Sequence, residues 1–361
     1  MSSRGTMPAE AERPGRVAIV GGGAIARFLA ACIVPRGAAV TLLVRRREQC
    51  AALRAQGIVA ATPSSRWRVA VDAARAGDMP PGPVFSALFV CVKSAQTAEA
   101  VAACLPLLRG DAPVISAQNG LNDQVIAGLA GANRAFGLVL SCPCESVGDT
   151  RVRCLTDAPS IACGAVADDN RGRLAAIGRL IGPPVALRGG IDLTAERWSK
   201  LALNCATGPL LALTGLTLGD LARIPAARGL VATIVAEVVA TARATGVRPA
   251  PIAGLAAGDW IAGPTALADA AILRFAARNP GGRSSLAADY DRGRSSEIED
   301  LLGVVVRRAA SVGVATPVCG RLLRRFTGPA PPGAPTRIAP EDLLEQPGGV
   351  FIRGIPDGHE F

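Results

Sequence analysis

The sequence predicts an α/β Rossmann-like N-terminal domain followed by an all-α C-terminal domain. Three observations carry that prediction. Short runs rich in β-branched residues, without polar alternation, recur between helical stretches in the first half, as parallel strands covered on both faces require. The first of these runs ends in three consecutive glycines. After Pro183-Pro184 the strand signal stops and long apolar helical runs take over. The length agrees: 361 residues, half of them hydrophobic, suffice for two cores at roughly 150 residues per domain, plus a tail.

Residues 1–15 are polar and read as a flexible N-terminus. Val17-Ala18-Ile19-Val20 is the first strand, Gly21-Gly22-Gly23 the turn, and Ala24 to Cys32 the first helix. Ala39–Val44 is the second strand and stops at Arg45. Leu88–Val92 and Pro113–Ser116 are further buried strands, with a helix over Thr97–Leu108 between them. These elements make a nucleotide-type domain over residues 16–188. Residues 189–327 form the helical domain, with helices over Leu193–Leu213, Ala226–Thr245, Ala266–Ala277 and Ser296–Val312. The last of them opens on a capping box, Ser296-x-x-Glu299. From Gly328 the chain turns rich in Pro and Gly, and 328–361 reads as a tail.

Composition removes whole classes of chemistry. The only histidine is His359, inside the tail, so a Ser-His-Asp triad, a Cys-His pair and an H-E-x-x-H zinc site have no histidine to use. No metal site is read. The only tyrosine, Tyr290, is not followed by a lysine four residues on, which excludes the short-chain dehydrogenase pair. The net charge of +10 raises the question of nucleic acid, yet the longest basic run is Arg45-Arg46-Arg47 and aromatic residues are only 3%, too few for stacking platforms. A basic cleft for an anionic cofactor or substrate explains the sign as well. The ten cysteines contain no C-x-x-C pair and read as reduced thiols. The apolar stretch Val17–Val34 is broken by glycines and Arg27, and Leu201–Leu218 by Asn204 and Pro209, so neither reads as a membrane anchor. With no secretion signal read at the start of the chain, a cytoplasmic protein is expected.

Gly21-x-Gly23-x-x-Ala26 follows the first strand and opens a helix. The first glycine allows the tight turn, the second lets backbone approach a pyrophosphate, and the small third residue lets helix and strand pack closely. The unpaired N–H groups of the helix, from Ala24, Ile25 and Ala26, then face the phosphates. At the end of the second strand, where an acidic residue would take the ribose of NAD, stands Arg45. A guanidinium suits a 2′-phosphate, so NADP(H) is the expected cofactor, with Glu48 close enough to keep NADH open.

Lysines and arginines total 39, of which only Lys93 and Lys200 are lysines, leaving 37 arginines. Lysine can shift its pKa and exchange a proton where arginine cannot. Lys93 ends a parallel strand, where open α/β sheets bind ligands. Lys200 lies on an apolar helix one turn before Asn204, so the amine and the amide share a face.

With these residues in order, the chain resembles the ketopantoate reductase (2-dehydropantoate 2-reductase) family from about Arg16 to Phe326. The landmarks are Gly21 to Ala26, Arg45, Val92-Lys93-Ser94, Gln118-Asn119-Gly120, the run Trp198 to Asn204, and Ser284-Ser285-Leu286 with Glu297 beyond. The resemblance implies NADPH-dependent reduction of a 2-keto acid, with ketopantoate to pantoate in pantothenate biosynthesis as the usual reaction. It implies Lys200 as the proton donor, Asn119 as a residue positioning that lysine and the nicotinamide, and Glu297 as a carboxylate near the active site. It further implies Ser285 on the substrate carboxylate, Asn204 on the substrate, and Lys93 beside the cofactor. Two departures stand out. Gly208-Pro209 replaces the Asn-Pro pair often found one turn beyond Asn204, and Cys142-Pro143-Cys144-Glu145 replaces a small glycine-rich loop. A reductase of a different keto acid or an imine, and a non-catalytic NADPH-binding regulator, are the alternative readings. A small-molecule keto acid is the expected partner, with no nucleic acid or membrane, in a monomer or homodimer.

Overall fold

The computed structural model describes residues 15–167, 170–294, 297–328 and 337–343. Ser296 of the expected capping box and His359 lie outside these residues. The chain divides into two compact units between Arg197 and Trp198. The sequence reading put the boundary at 188/189. The difference, residues 189–197, takes in the end of a strand, a short loop and the first five residues of one long helix, which a buried arginine ties to the first unit, as described below.

The first unit runs β1 (Val17–Val20), α1 (Ala24–Ile33), β2 (Val40–Leu43), α2 (Arg47–Gln56), β3 (Ile58–Ala61), β4 (Arg66–Val69), β5 (Asp72–Ala74), β6 (Ala87–Val90) and α3 (Thr97–Cys104). It continues through β7 (Val114–Ser116), α4 (Asp123–Ala130), β8 (Ala135–Ser141), β9 (Cys144–Val147), β10 (Arg151–Cys154), β11 (Ser160–Ala165), α5 (Arg171–Leu180) and β12 (Ala186–Gly189). Eight strands form one sheet in the order β12-β11-β8-β7-β6-β1-β2-β5. The stretch from β8 to β5 is parallel, and β11 pairs antiparallel with β8.

Pleating sorts the side chains of β1 and β6 onto two faces. Val17, Ile19, Ala87 and Phe89 enter a core with Phe28, Leu29 and Cys32 of α1. Ala18, Val20, Leu88 and Val90 enter a second core with Val101 of α3 and Ile126 of α4. Burial on both faces explains why these strands carry no polar alternation. A smaller sheet, β4-β3-β10-β9, packs on α1, where Trp67 Nε1 donates to the Ala31 carbonyl at 3.0 Å and its ring meets Phe28 edge-on at 6.3 Å. The helix expected over Thr97–Leu108 breaks into α3 and a short 3₁₀ turn, Leu105–Leu107, because Pro106 supplies no N–H. β6 also ends two residues before the expected Val92.

α6 (Leu193–Thr214) crosses the unit boundary. The second unit then holds α7 (Leu218–Arg223), α8 (Pro225–Ala244), α9 (Ala266–Ala277), α10 (Ser285–Asp291), α11 (Val304–Ser311) and α12 (Pro317–Thr327). The helix expected over Ser296–Val312 proves composite: a π-helical turn, Glu299–Gly303, leads into α11. α8 is long and apolar enough to cross a membrane, but over half of it is buried in this unit, against α7, α9, α11 and α12. The Glu237 carboxylate of α8, itself buried, accepts the N–H groups of Val318 and Cys319 at 2.9 and 2.8 Å and so caps α12. Within the expected tail, residues 337–343 lie on the helical unit, with Leu343 only 3% exposed.

Candidate active site

Parallel strands in register bring their carboxyl ends to one edge. Val20 of β1 stands level with Leu43 of β2 and Val90 of β6, and Val90 with Ser116 of β7. The residues that follow are Gly21–Ala26, Arg45, Lys93 and Asn119, so every expected cofactor residue lies beyond that edge.

The glycine turn has the shape a pyrophosphate needs. Gly21 has φ +122°, and a side chain there would sit 2.7 Å from the Cys91 carbonyl oxygen. Both facts exclude any other residue. Gly22 lies against the Gln49 side chain, whose Nε2 donates to the Gly22 carbonyl at 2.9 Å. At Gly23 a Cβ would meet nothing within 4 Å, leaving open space above the loop. Gly23 is also the N-cap of α1, where no side chain caps the helix and no acidic residue occupies the first turn. The N–H groups of Ala24, Ile25 and Ala26 are therefore presented to an anion without a competing carboxylate. The turn fits the pyrophosphate of a dinucleotide.

Two side chains that the sequence reading did not assign brace this turn. Arg27, 2% exposed, donates from Nη1 to the carbonyls of Gly148 and Arg151 at 2.7 and 3.0 Å, from Nη2 to Ser146 Oγ at 2.5 Å, and from Nε to Gly23 O at 3.4 Å. Burial lowers its pKa from the usual arginine value, and these acceptors hold the charge in place. Its one signal in the sequence is that it interrupts an apolar run. Gln49 reaches from α2 to the same turn. The tip of the β9–β10 hairpin thereby joins the back of the phosphate loop, and Asp149 of that tip pairs with Arg46. Arg45 is exposed and, among the described residues, has no ion-pair partner. At the base of the hairpin Cys144 faces Cys154. The adjacent Cys144 thiol holds Cys154 below the usual cysteine value, while that contact and burial push Cys144 up.

The loops after β6 and β7 are cross-linked. Gln118 Nε2 donates to Val92 O and to Thr97 Oγ1, both at 2.8 Å. Asn122 Nδ2 donates to Ser94 Oγ at 2.9 Å and to Asn119 O at 2.7 Å. Asn119 itself is half-buried and Lys93 is exposed. Beneath them lies Arg197, the fifth residue of α6. It forms a bidentate pair with Asp123 at 2.7 and 2.8 Å and donates to the carbonyls of Gln118 and Ser116 at 2.6 and 3.2 Å. Its side chain is 3% exposed and that of Asp123 8%. Gly137 of β8 belongs to the same cluster, because a Cβ there would lie 2.8 Å from Arg197 Nη2. No motif in the sequence marks this cluster.

In the second unit α6 shows two unlike faces. Trp198, Leu201, Ala202, Cys205 and Ala206 are fully buried, and the Arg308 guanidinium lies over the Trp198 ring at 5.8 Å. Lys200, Leu203, Asn204 and Thr207 are half-buried on the other face. Ser199 Oγ donates to Ala250 O at 2.6 Å beside Lys200 and fixes the helix rotation there. Lys200, Asn204 and Gly208 follow one another at four-residue steps, one stripe along the helix. Ser284 Oγ donates to Gly208 O at 3.5 Å and caps α10 by accepting the Ala287 N–H at 3.0 Å, which places the exposed Ser285 next to the far end of that stripe. Glu297 is half-buried just before the π-helical turn.

A phosphate turn on the carboxyl edge of a parallel sheet, followed by a helical unit that presents an amine and an amide on one helix face, defines a two-domain, nicotinamide-dependent oxidoreductase. Comparison with known proteins narrows the class. The family profile described as "Ketopantoate reductase PanE/ApbA" matches residues 17–168, and that of its C-terminal domain matches residues 192–328. The 2-dehydropantoate 2-reductase of Caulobacter vibrioides is 37% identical over 134 residues, 37% of this chain and 41% of that relative, so the match spans less than half of its length. The enzyme of the same name from Yersinia pestis is 29% identical over 65% of this chain and 71% of its own. A crystal structure of 2-dehydropantoate 2-reductase from Geobacter metallireducens superposes with a TM-score of 0.75 at 25% identity, over 86% of this chain and 99% of that one. A ternary structure of D-mandelate dehydrogenase with NADH and anilino(oxo)acetate shares the fold at a TM-score of 0.75 and 18% identity, over 86% of this chain and 97% of that one. The chain belongs to the ketopantoate reductase family.

Proposed function

We propose that the protein reduces a 2-keto acid to the 2-hydroxy acid with NADPH, with ketopantoate to pantoate, in pantothenate biosynthesis, as the first reaction to test. The observation that carries this reading is Lys200, one of two lysines among 37 arginines, set one turn before Asn204 on α6 within the matched C-terminal domain. The names of the relatives from Caulobacter and Yersinia support the substrate.

The dihydronicotinamide, when bound, supplies the hydride. The chain supplies everything else. The Lys200 ammonium stands at the substrate carbonyl oxygen, stabilises the alkoxide as charge develops there, and gives it a proton from Nζ. By the resemblance, Asn119 positions the nicotinamide, and Glu297 sets the local charge. Asn204 donates to the substrate and Ser285 takes its carboxylate. Gly21, Gly23 and the N–H groups of Ala24, Ile25 and Ala26 hold the pyrophosphate, with Lys93 alongside. Arg45, uncommitted to any carboxylate among the described residues, takes the 2′-phosphate, whereas Arg46 is occupied by Asp149. The reaction is assigned to the cytoplasm, in a monomer or homodimer.

Gly208 favours a second reading, a keto acid with a less polar side chain. It offers no amide where the family often has one, and a Cβ there would find only Leu286 and Ser284, at 3.8 to 4.0 Å. One experiment separates the readings: NADPH oxidation by the purified full chain across a panel of 2-keto acids that includes ketopantoate and branched or aryl analogues. Turnover of ketopantoate supports the first reading, and preference for the apolar members supports the second. Tight NADPH binding with no turnover on any member overturns both and leaves a cofactor-binding regulator.

A further inference from the structure

The family match ends at residue 328, yet residues 337–343 lie on the helical unit through specific contacts. The last carbonyls of a helix have no partner within it. Here two of those of α6, and the carbonyl of Gly215 just beyond it, are taken by distant residues. Arg337 Nη1 donates to Ala212 O at 2.5 Å, the Ile338 N–H to Leu213 O at 3.0 Å, and Arg283 Nη1 to Gly215 O at 2.7 Å. Asp291, at the end of α10, joins the two arginines, taking Arg337 Nη2 at 2.7 Å on one oxygen and Arg283 Nη2 at 2.8 Å on the other.

Gly215 makes room for this arrangement. It has φ +76°, and a Cβ there would fall 2.9 Å from Arg337 Nε. The far end of the segment is anchored as well: Leu343 is buried, and its carbonyl accepts Arg321 Nη1 at 3.2 Å. Arg283 immediately precedes Ser284, whose hydroxyl meets Gly208 O on the Lys200–Asn204 stripe. A chain of contacts thus runs from the C-terminal segment through Asp291 and Arg283 to the Ser284–Ser285 turn.

We propose that residues 337–343 are a strap that sets the substrate end of the site, with Arg337 and Asp291 as positioning residues that hold the Arg283–Ser285 turn against α6. The role of that turn rests on the reading of Ser285 given under the proposed function. Neither positioning residue touches substrate or cofactor. Their loss acts through the placement of Ser285, so it weakens substrate binding and leaves proton and hydride transfer intact.

The test compares Arg337→Ala, Arg337→Lys and Asp291→Asn in the full chain. Steady-state kinetics on the best keto acid of the panel are measured together with the Kd for NADPH, the Tm, and amide hydrogen exchange over residues 284–288. Arg337→Ala is expected to raise KM about tenfold, the scale of one lost charge-assisted hydrogen bond. Its kcat and NADPH Kd stay within about twofold, since every residue assigned to the cofactor lies in the other unit. Arg337→Lys, which keeps the charge but not the two-pronged reach, recovers part of the KM. Faster exchange at 284–288 in Arg337→Ala and Asp291→Asn supports the strap without any turnover. A lowered Tm with KM and exchange at 284–288 unchanged overturns it, and so does a parallel loss of kcat, KM and NADPH affinity. A wild-type chain that turns over no keto acid overturns the proposed function instead, and the exchange data then decide the strap alone.

Discussion

Lys200 and Arg45 each carry a distinct part of the proposed chemistry. Arginine in place of Lys200 keeps a positive charge near the carbonyl but has no transferable proton at any accessible pH. Lys200→Arg is therefore expected to bind NADPH with wild-type affinity and to lose most of kcat, about 100-fold or more for a general acid. Single-turnover kinetics beside a fluorescence titration of NADPH checks this, and near-full kcat would remove Lys200 from the role of acid. Arg45→Ala is expected to raise the Kd for NADPH by about tenfold or more and to leave NADH almost unchanged, because only the former carries the 2′-phosphate. Equal losses for both cofactors would mean that the backbone after β2 had moved.

Among the helices, α6 owes the placement of its N-terminal end to one buried ion pair. Arg197 and Asp123 satisfy each other, and the arginine also donates to the carbonyls of Ser116 at the end of β7 and Gln118 in the loop after it. Removing one partner leaves a charge uncompensated in the interior, so Arg197→Leu is expected to cost about 3–5 kcal/mol. The double variant Arg197→Leu/Asp123→Leu is expected to cost less than the single one, a comparison that urea denaturation settles. The contrast with α1 shows why one anchor was legible in the sequence and the other was not. The glycine turn and its helix form from residues adjacent in the chain, and a motif of six positions specifies them. Arg197 and Asp123 are 74 residues apart and look like any surface arginine and aspartate until the fold brings them together. Short strands such as β4, with Arg66 and Arg68 exposed, escaped notice for a related reason, since an edge strand of charged residues resembles a loop.

For the molecule taken whole, the net charge of +10 predicts a kinetic effect. A polyanionic cofactor is drawn toward a positive field, and salt screens that field over about 8 Å at physiological ionic strength. The association rate of NADPH, measured by stopped-flow fluorescence, is expected to fall severalfold between low and moderate salt while the dissociation rate changes little. A salt-independent association rate would show that the arginines are spread too evenly to steer anything.

The four strands β1, β2, β6 and β7, the helical character of the second unit, the phosphate turn, the basic residue after β2 and the lysine-amide face of α6 could be read from the residues alone; the other eight strands could not. Each depends on neighbours within a turn or two of the chain, where helical and strand periodicities operate. The Arg27 brace, the Arg197–Asp123 anchor and the return of residues 337–343 to α6 needed the folded molecule. The contact between Arg337 and Ala212 joins positions 125 residues apart, and a Pro- and Gly-rich composition hides it. Packing brings such partners together only after the local elements exist, and no local pattern records which arginine will find which carbonyl.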